Sequence, residues 1–250
     1  MASSPIVAPT SVEVHLMNTE PHAVRHEQAP DCRFCHSLWG TDDSAIWDIP
    51  LVETANFVVL PSLGSLVEGW LLVVPKAHFI ATAAYSIDLL HEHSHLISLV
   101  KGVQRDVYGP VWLFEHGPSS PSRSIGCGVD HAHVHLVPID CDLTEAAKAF
   151  LPQGVDFASA DFNGCREGWE QGLDYLYCEG PSQEESRAAV AQNLGSQIFR
   201  KAIATIQKRP EQFDWKIDTH LPNIRATISR LRSALREVER EINGPTAASK

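Results

Sequence analysis

The chain has 250 residues, with 20 Lys and Arg against 31 Asp and Glu, which gives a formal net charge of -11 at pH 7. This acidic balance argues against non-specific binding of nucleic acid or of anionic membranes as the main role. The composition is that of a globular protein that needs neither disulfides nor a metal merely to fold. The longest unbroken apolar run, at 70–74, is far too short to span a bilayer, so we expect no membrane segment.

Residues 1–30 are rich in Pro and show no clear hydrophobic period, which favours an extended N-terminal arm. They lack the charged and apolar regions of a secretory signal. Without such a signal the six Cys should be reduced thiols, and we expect a cytoplasmic protein.

The middle of the chain combines short β-type runs with one long helical segment. Strands are expected at 57–60, 70–74, 111–114 and 131–139. Ser86 opens a stretch with apolar residues at helical spacing, and this helix should end at the breaker Gly109–Pro110. The pattern predicts an α+β core over 31–150.

A Pro- and Gly-rich passage at 151–172 suggests a boundary after this core. Beyond it we expect a strand at 175–178 and two amphipathic helices, at 183–207 and 221–242. The sequence therefore predicts a mainly helical C-terminal extension over 151–250.

Three histidines alternate with apolar residues in the strand expected over 131–139, namely His131, His133 and His135. Residues two apart in a strand point to the same face, so the three imidazoles should share one face. Burying three polar rings without partners would be costly. This face is therefore a candidate site for an anion, a metal or a reacting phosphate.

A second set of histidines has the same spacing but lies in the predicted helix: His91, His93 and His95. On a helix the side chains at i and i+2 diverge, and residues four apart share a face. We favour a solvated helix surface for this set over a second metal site.

Cys32 and Cys35 form a CxxC motif, which can bind zinc, form a redox pair or do neither. A closed zinc site needs four N or S ligands, and His78 and His131 are further candidates. His36 is a competing ligand, although adjacent residues seldom bind one ion comfortably. A redox pair is less favoured because no βαβ pattern surrounds the motif.

These motifs occur together in the order found in the zinc-containing members of the histidine triad (HIT) superfamily, which the chain resembles from about Asp31 to Cys141. The resemblance rests on the HxHxH at 131–135, the Val-Val-Pro-Lys-x-His at 73–78 and the upstream CxxC. It implies an α+β fold, a HIT-like antiparallel sheet with a long helix, for a catalytic domain at 31–150. It also implies a nucleotide hydrolase or nucleotidyltransferase, usually a homodimer.

The resemblance assigns a role to each histidine of the triad. His133 would attack an α-phosphate and form a covalent nucleotidyl-histidine, and His135 would contact the phosphate oxygens. His131 would complete a structural Zn2+ site with Cys32, Cys35 and His78. A neutral imidazole is a competent nucleophile near pH 7, because its ordinary pKa is about 6.5.

The candidate substrate-binding residues are Ser62, Glu115, Arg123, Ser124, Cys127 and Gly128. Arg123 and Ser124 lie in a Ser-rich loop that can offer hydroxyl and guanidinium groups to phosphate oxygens. Ser62 stands where the family usually has an acidic ribose-binding residue. Cys127 and Gly128 stand where many hydrolases of the family have Gln and Ser. We therefore expect ribose and leaving-group recognition to differ from the usual pattern.

The sequence favours a hydrolase that cleaves a nucleotide conjugate or dinucleoside polyphosphate at its α-phosphate, since family transferases of one kind carry Gln in place of His135. One alternative is a phosphorylase or nucleotidyltransferase, and another is a nucleotide-binding module with little turnover. In the C-terminal extension, Gln197, Arg200 and Lys201 are expected on a solvated helix face rather than against the phosphate chain. No nucleic-acid partner is expected.

Overall fold

The computed structural model describes residues 32–39, 45–121, 125, 128–182 and 186–244. The strands are β1 (Val52–Glu53), β2 (Phe57–Pro61), β3 (Leu71–Pro75), β4 (Val111–Gly117), β5 (Val134–Pro138), β6 (Ala158–Ser159), β7 (Asp174–Glu179) and β8 (Ser186–Ala191). The helices are α1 (Arg33–Trp39), α2 (Ile87–Tyr108), α3 (Leu143–Lys148), α4 (Phe162–Glu170), α5 (Ile198–Ile206) and α6 (Leu221–Asn243). Among the described helices, none is long and apolar enough to cross a membrane.

Within the described residues, eight strands form one sheet in the order β1-β2-β3-β5-β4-β7-β8-β6. Every neighbouring pair is antiparallel. Strand β5 lies near the middle, with His135 opposite Leu72 on one side and Phe114 on the other. The central strands are buried along their whole length, because helices cover both faces of the sheet.

The two faces of the sheet carry separate apolar cores. On one face Leu113 and Leu136 pack with apolar residues of α2 and α6. On the other face Phe114 and Val137 pack with α5, of which Phe199 is fully buried. Alternation of side chains along each strand therefore decides which residues lie under α5 and which under α2.

Helix α2 begins and ends where the sequence predicts. The Ser86 side chain accepts a hydrogen bond from the backbone N–H of Leu89 at 3.3 Å, and Gly109 ends the helix with a φ of 86°. Its histidines differ from the prediction in one respect: His91 and His95 are exposed, but His93 is buried. His93 lies three and four residues from Leu96 and Ile97 and so shares their buried face.

The C-terminal part of the chain continues the same sheet. Strand β7, predicted at 175–178, pairs with β4, and α6 confirms the helix predicted at 221–242. The single helix expected over 183–207 is wrong: the described residues form β8 and then the shorter α5. Strand β8 pairs with β7, and positive φ values at Asn193 and Gly195 separate it from the helix. The extension thus contributes strands as well as helices.

Candidate functional site

Four predicted metal ligands come together at one end of the sheet: the ligand atoms of Cys32, Cys35, His78 and His131 all lie within 4.8 Å of one another. The Cys32 Sγ is 3.3 Å from His131 Nδ1, and the Cys35 Sγ is 3.4 Å from His78 Nδ1. Around a tetrahedral zinc ion, sulfur and nitrogen ligands would stand roughly 3.6 Å apart. The donor set and its spacing are compatible with a closed four-ligand metal site.

Helix α1 and a backbone carbonyl orient these ligands. Cys32 and Cys35 are three residues apart at the start of α1, so their sulfur atoms lie on one side of the first turn. His131 Nε2 lies 2.8 Å from the carbonyl oxygen of Pro75. Because a carbonyl oxygen can only accept, Nε2 carries the proton and Nδ1 keeps the lone pair that faces the sulfur atoms.

Burial sets the charge state of these ligands. It lowers the pKa of His131 to about 4 and also lowers the pKa of His78, so both rings are neutral near pH 7. Burial raises the pKa of the Cys32 thiol to about 11. A bound cation would favour the thiolate instead, because a coordinating thiol loses its proton.

His133 carries its ring proton on Nδ1 and a lone pair on Nε2. Its Nδ1 is 2.7 Å from the carbonyl oxygen of His131, so Nδ1 carries the proton and Nε2 does not. Burial lowers its pKa to about 4, although the hydrogen bond to His131 opposes the shift, and the positive charges of Arg33 and Arg200 lower it further. His133 is therefore a neutral imidazole with the nucleophilic nitrogen that covalent catalysis requires.

His135 is held in the opposite tautomer. The indole Nε1–H of Trp70 donates to His135 Nδ1 at 3.0 Å, and an indole N–H can only donate. The neutral ring therefore carries its proton on Nε2. The ring stacks on Phe114 with a centroid distance of 4.3 Å and lies 4.8 Å from the ring of His133. A lone pair on His133 and an N–H donor on His135 thus stand side by side.

The strand that carries the triad starts later than predicted. Strand β5 begins at Val134, which pairs with Val73, so His131 and His133 lie on the segment that leads into it. There the His131 side chain bonds Pro75 at the end of β3. The alternation still holds, because Ala132, Val134 and Leu136 lie together in the core on the other face. The three rings lie on one side of the segment but differ in surroundings: His131 belongs to the metal-type cluster, and the other two line a cleft.

This cleft is narrow and is lined by residues from both halves of the chain. Its space is about 20 Å³, room for about one water molecule. Its walls are formed by Arg33, Phe34, Ser62, Leu63, Leu72, Val129, His133, His135, Arg200 and Trp215. The C-terminal part contributes Arg200 from α5 and Trp215 from the segment 213–219, called the strap below.

Arg200 is buried in the cleft wall, with 1% of its surface exposed. The solvated helix face expected for it is therefore wrong. Its Nε donates to the carbonyl oxygen of Phe213 at 2.9 Å, and its Nη2 donates to the carbonyl oxygen of Gly64. Its guanidinium carbon is 4.8 Å from the centre of the Trp70 ring. Helix α5 is buried along most of its length between the sheet, α3 and the segment 210–213, which sequence periodicity alone did not indicate.

The predicted substrate-binding residues fall into three groups. Ser62 is buried in the cleft wall, and Gly128 lies beside the strap, where a Cβ would come 3.0 Å from Lys216 Nζ. Arg123, Ser124 and Cys127 lie outside the described residues. Glu115 is described but is not in the cleft.

Glu115 lies on the opposite face of the sheet from the triad cleft. Phe114 and His116 face the triad. Because side chains alternate along β4, Glu115, which lies between them, points to the opposite face of the sheet. Glu115 accepts hydrogen bonds from the Thr82 N–H at 2.8 Å and from the Tyr175 hydroxyl at 2.7 Å. Burial raises its pKa to about 7, although these hydrogen bonds oppose the shift. It borders a separate cavity of about 410 Å³ under α2.

Sequence reasoning missed His116, which lies on the triad face of β4. Its ring is 6.4 Å from that of His135 and 5.3 Å from that of Phe199. Burial lowers its pKa to about 3, and neither ring nitrogen has a hydrogen-bond partner among the described residues. Alternation along the predicted strand, which places Phe114 and His116 on one face, was the signal that could have found it.

The solved structures that resemble the chain include the following two. A Hit-like protein involved in cell-cycle regulation from Bartonella henselae matches with a TM-score of 0.31 and 13% identity, over 36% of this chain and 68% of its own. A hypothetical histidine triad nucleotide-binding protein from Sulfolobus tokodaii matches with a TM-score of 0.30 and 20% identity, over 64% of this chain and 86% of its own. No protein-family model and no curated protein matches the chain.

Proposed function

We propose that the cleft takes the α-phosphate of a nucleotide conjugate or dinucleoside polyphosphate and that His133 cleaves it by covalent catalysis. The observation that carries this proposal is the hydrogen bond from His133 Nδ1–H to the His131 carbonyl oxygen, which leaves the Nε2 lone pair available in the cleft. The sequence resemblance to the histidine triad superfamily supports the same role for this residue.

The proposed reaction has two displacements at phosphorus. His133 Nε2 forms a bond to the α-phosphorus while the bond to the leaving-group oxygen breaks, and that oxygen keeps the electron pair. Water then attacks the same phosphorus, the P–N bond breaks, and a nucleoside monophosphate is released. Splitting the reaction in this way replaces one difficult step by two easier ones.

Neighbouring groups match the charges that develop in these steps. The imidazole of the intermediate is cationic, and the His131 carbonyl oxygen that accepts from Nδ1–H stabilises this charge. The Nε2–H of His135 can donate to an oxygen of the phosphate, because Trp70 holds its proton on that nitrogen. Both rings are fixed before substrate binds, so little reorganisation is needed at the moment of reaction.

We also propose that Cys32, Cys35, His78 and His131 hold a structural Zn2+. Two thiolates and two imidazoles are a usual zinc ligand set, and four protein ligands leave no open position for a reacting water. When bound, the ion would join α1 to the ends of β3 and β5. That linkage would fix the His131 carbonyl oxygen, on which the orientation of His133 depends.

Two further expectations from the sequence remain proposals. The first is a reducing compartment such as the cytoplasm. The second is a homodimer, which rests on the sequence resemblance. Light scattering coupled to size-exclusion chromatography would test it, and a single species of monomer mass would contradict it.

Intact-protein mass spectrometry tests the catalytic proposal. The wild-type protein is mixed briefly with dinucleoside polyphosphates, nucleotide sugars and nucleoside phosphoramidates. We expect an acid-labile adduct of one nucleoside monophosphate. It should be absent in His133→Ala and retained in His95→Ala, which removes an exposed histidine of α2.

Product analysis separates the proposal from its alternatives. Release of the nucleoside monophosphate in water alone supports a hydrolase, whereas product formation only with added phosphate or a metabolite hydroxyl indicates a phosphorylase or transferase. Thermal stabilisation by a nucleotide with neither adduct nor product would contradict catalysis and indicate a binding module.

A further inference from the structure

The cavity under α2 lies on the opposite face of the sheet from the triad cleft. Its volume of about 410 Å³ falls within the range of about 300–1000 Å³ for small-molecule sites, whereas the cleft holds about 20 Å³. Helix α2 forms one wall of the cavity and α4 another, and strands β4 and β7 form its floor. The function proposed above uses the cleft and leaves this cavity without a role.

Four residues of two paired strands form the floor of the cavity. In the pairing of β4 with β7, Glu115 stands directly opposite Tyr177, and Leu113 stands directly opposite Glu179. The ring of Tyr177 also contacts the ring of Phe162 from α4, at a centroid distance of 5.6 Å. This part of the cavity therefore combines a carboxyl group with two aromatic rings.

Glu115 is a buried carboxyl group without a cationic partner among the residues that the structure describes. It is 1% exposed, and its two hydrogen bonds come from neutral donors, the Thr82 N–H and the Tyr175 hydroxyl. A buried charge is costly unless it is paired, which is why burial raises the pKa of this carboxyl group to about 7. Each carboxylate oxygen has two lone pairs, so both oxygens can accept a further hydrogen bond.

His93 adds a second buried polar group to the wall of the same cavity. It is 3% exposed, and its Nε2 has no hydrogen-bond partner among the described residues. The ring stacks on Phe57 at a centroid distance of 5.0 Å, and burial lowers its pKa to about 3, so the imidazole is neutral. Buried polar groups are almost always hydrogen-bonded, and each exception requires an explanation. Two buried groups with unused hydrogen-bonding capacity thus border one cavity.

The other charged residues of the cavity lie toward the C-terminal end of α2. Lys101 is paired with Glu179 at 2.7 Å. Arg105 is exposed and stands twelve residues beyond His93, about 18 Å along the helix axis. This distance exceeds the screening length of about 8 Å at physiological ionic strength. We therefore expect these two cations to oppose a positive group beside Glu115 only weakly.

We propose that the cavity under α2 is a second ligand site, which binds a small molecule through a positively charged nitrogen group, an ammonium or amidinium, hydrogen-bonded to Glu115. The N–H groups of the ligand would donate to the carboxylate, and the rings of Tyr177 and Phe162 would contact its apolar or aromatic body. An amidinium is planar and can donate to both oxygens of one carboxylate, as a guanidinium does. This site is independent of the chemistry at His133, since the two lie on opposite faces of the sheet.

The competing role for Glu115 is purely structural. By accepting hydrogen bonds from Thr82 and Tyr175, the carboxyl group joins the turn before α2 to strand β7. A structural carboxyl group would not distinguish a cationic ligand from a neutral ligand of the same shape. A carboxyl group that recognises a ligand cation would.

Benzamidine and benzamide are matched probes for this question, because they share one shape and only benzamidine carries a positive charge. Calorimetry at about pH 8, above the pKa of about 7 of Glu115, measures the binding of each probe to the full-length protein. We expect the wild type to bind benzamidine roughly 10-fold or more tightly than benzamide, the usual contribution of a charge-assisted hydrogen bond.

Two variants show whether Glu115 is the source of this preference. The preference for benzamidine should be largely lost in Glu115→Gln and kept in Glu167→Gln, which removes an exposed carboxylate of α4. Three results would each overturn the proposal: no measurable binding of benzamidine by the wild type, equal binding of the two probes, or an unchanged preference in Glu115→Gln.

A crystal structure of the wild-type protein soaked with benzamidine provides a second test that does not depend on the stability of a variant. We expect an amidine nitrogen within hydrogen-bond distance of the Glu115 carboxylate, and benzamidine bound only elsewhere would overturn the proposal. His133→Ala separates the two sites. Benzamidine binding should be the same in this variant as in the wild type, and its loss would place the probe in the triad cleft and overturn the proposal.

Discussion

The carbonyl oxygen of His131 accepts the Nδ1–H of His133 at 2.7 Å, while the side chain of His131 belongs to the cluster with the two cysteines. One residue therefore serves two purposes through two different groups. Its ring nitrogen faces the sulfur atoms, and its backbone oxygen decides which nitrogen of His133 carries the lone pair. A disturbance of the cluster should consequently reach the nucleophile through the backbone.

His133→Ala should abolish turnover and leave the fold intact. The substitution removes the nucleophilic nitrogen. The fold should be kept because the His133 ring lines the cleft and is not part of either apolar core. We expect adduct formation and kcat to fall below detection, with unchanged metal content and melting temperature. Activity close to that of the wild type would contradict the role assigned to His133.

Cys32→Ser should lower both metal content and stability. Loss of a metal ligand is among the changes that cost several kcal/mol, and about 3 kcal/mol would lower the melting temperature by roughly 6–12 °C. Cys165→Ser is the matched control, since Cys165 is a buried cysteine on α4 and is not in the cluster. Metal analysis and calorimetry provide the measurement, and a Cys32→Ser protein that retains one zinc per chain would show that the ligand set is wrong.

The stability of the protein should depend on the protonation of Glu115. Burial raises its pKa from 4.5 to about 7, so between these pH values the native state holds a proton that the unfolded chain has lost. The native state then binds more protons, and the free energy of unfolding falls as the pH rises through this window. For one group with this shift the change is on the order of 3 kcal/mol.

Glu115→Gln should remove that part of the pH dependence. The amide keeps an acceptor for the Thr82 N–H and does not ionise, so the variant should gain stability relative to the wild type as the pH rises from 4.5 to 7.5. Urea unfolding at several pH values measures this difference, and Glu167→Gln, at an exposed position on α4, is the control. Parallel pH profiles for wild type and Glu115→Gln would contradict the expectation.

Nucleotide binding should displace Trp215. The cleft holds about 20 Å³, far less than a nucleotide needs, and Trp215 forms the part of its wall that belongs to the strap. Gly64 permits the close approach of the two segments, because a Cβ there would come 2.5 Å from Trp215 Cβ. We therefore expect the strap to move when a ligand enters.

Tryptophan fluorescence reports on this movement. The change on addition of a nucleoside monophosphate should be largely lost in Trp215→Phe and kept in Trp169→Phe. Trp169 packs under the opposite face of the sheet, with its indole N–H bonded to the Pro118 carbonyl oxygen. An unaltered signal in Trp215→Phe would mean that the strap stays in place.

Features set by local sequence were predicted well. Helix α2 has its cap at Ser86 and its breaker at Gly109. The four cluster residues are far apart in sequence, and their convergence was expected from the family resemblance. Features set by tertiary packing were not predicted from the sequence. The burial of Arg200 depends on the segment 210–213 that covers α5, and β8 forms because β7 offers it a pairing edge.

The placement of Glu115 and His116 is an intermediate case. Strand β4 was predicted, and simple alternation assigns the two residues to opposite faces of the sheet. What the sequence did not reveal is which face the triad occupies, because that follows from the register in which Phe114 stands opposite His135.

The pairing of β4 with β7 has a consequence for how the molecule can be divided. A chain cut after residue 150 would leave β4 as an unpaired edge and would uncover the apolar face that α5 now covers, with Phe114 and the triad rings on it. Exposed strand edges and large apolar faces promote aggregation. The region that carries the recognisable motifs is therefore not a separable module, and its folding and that of the C-terminal part should occur in one cooperative transition.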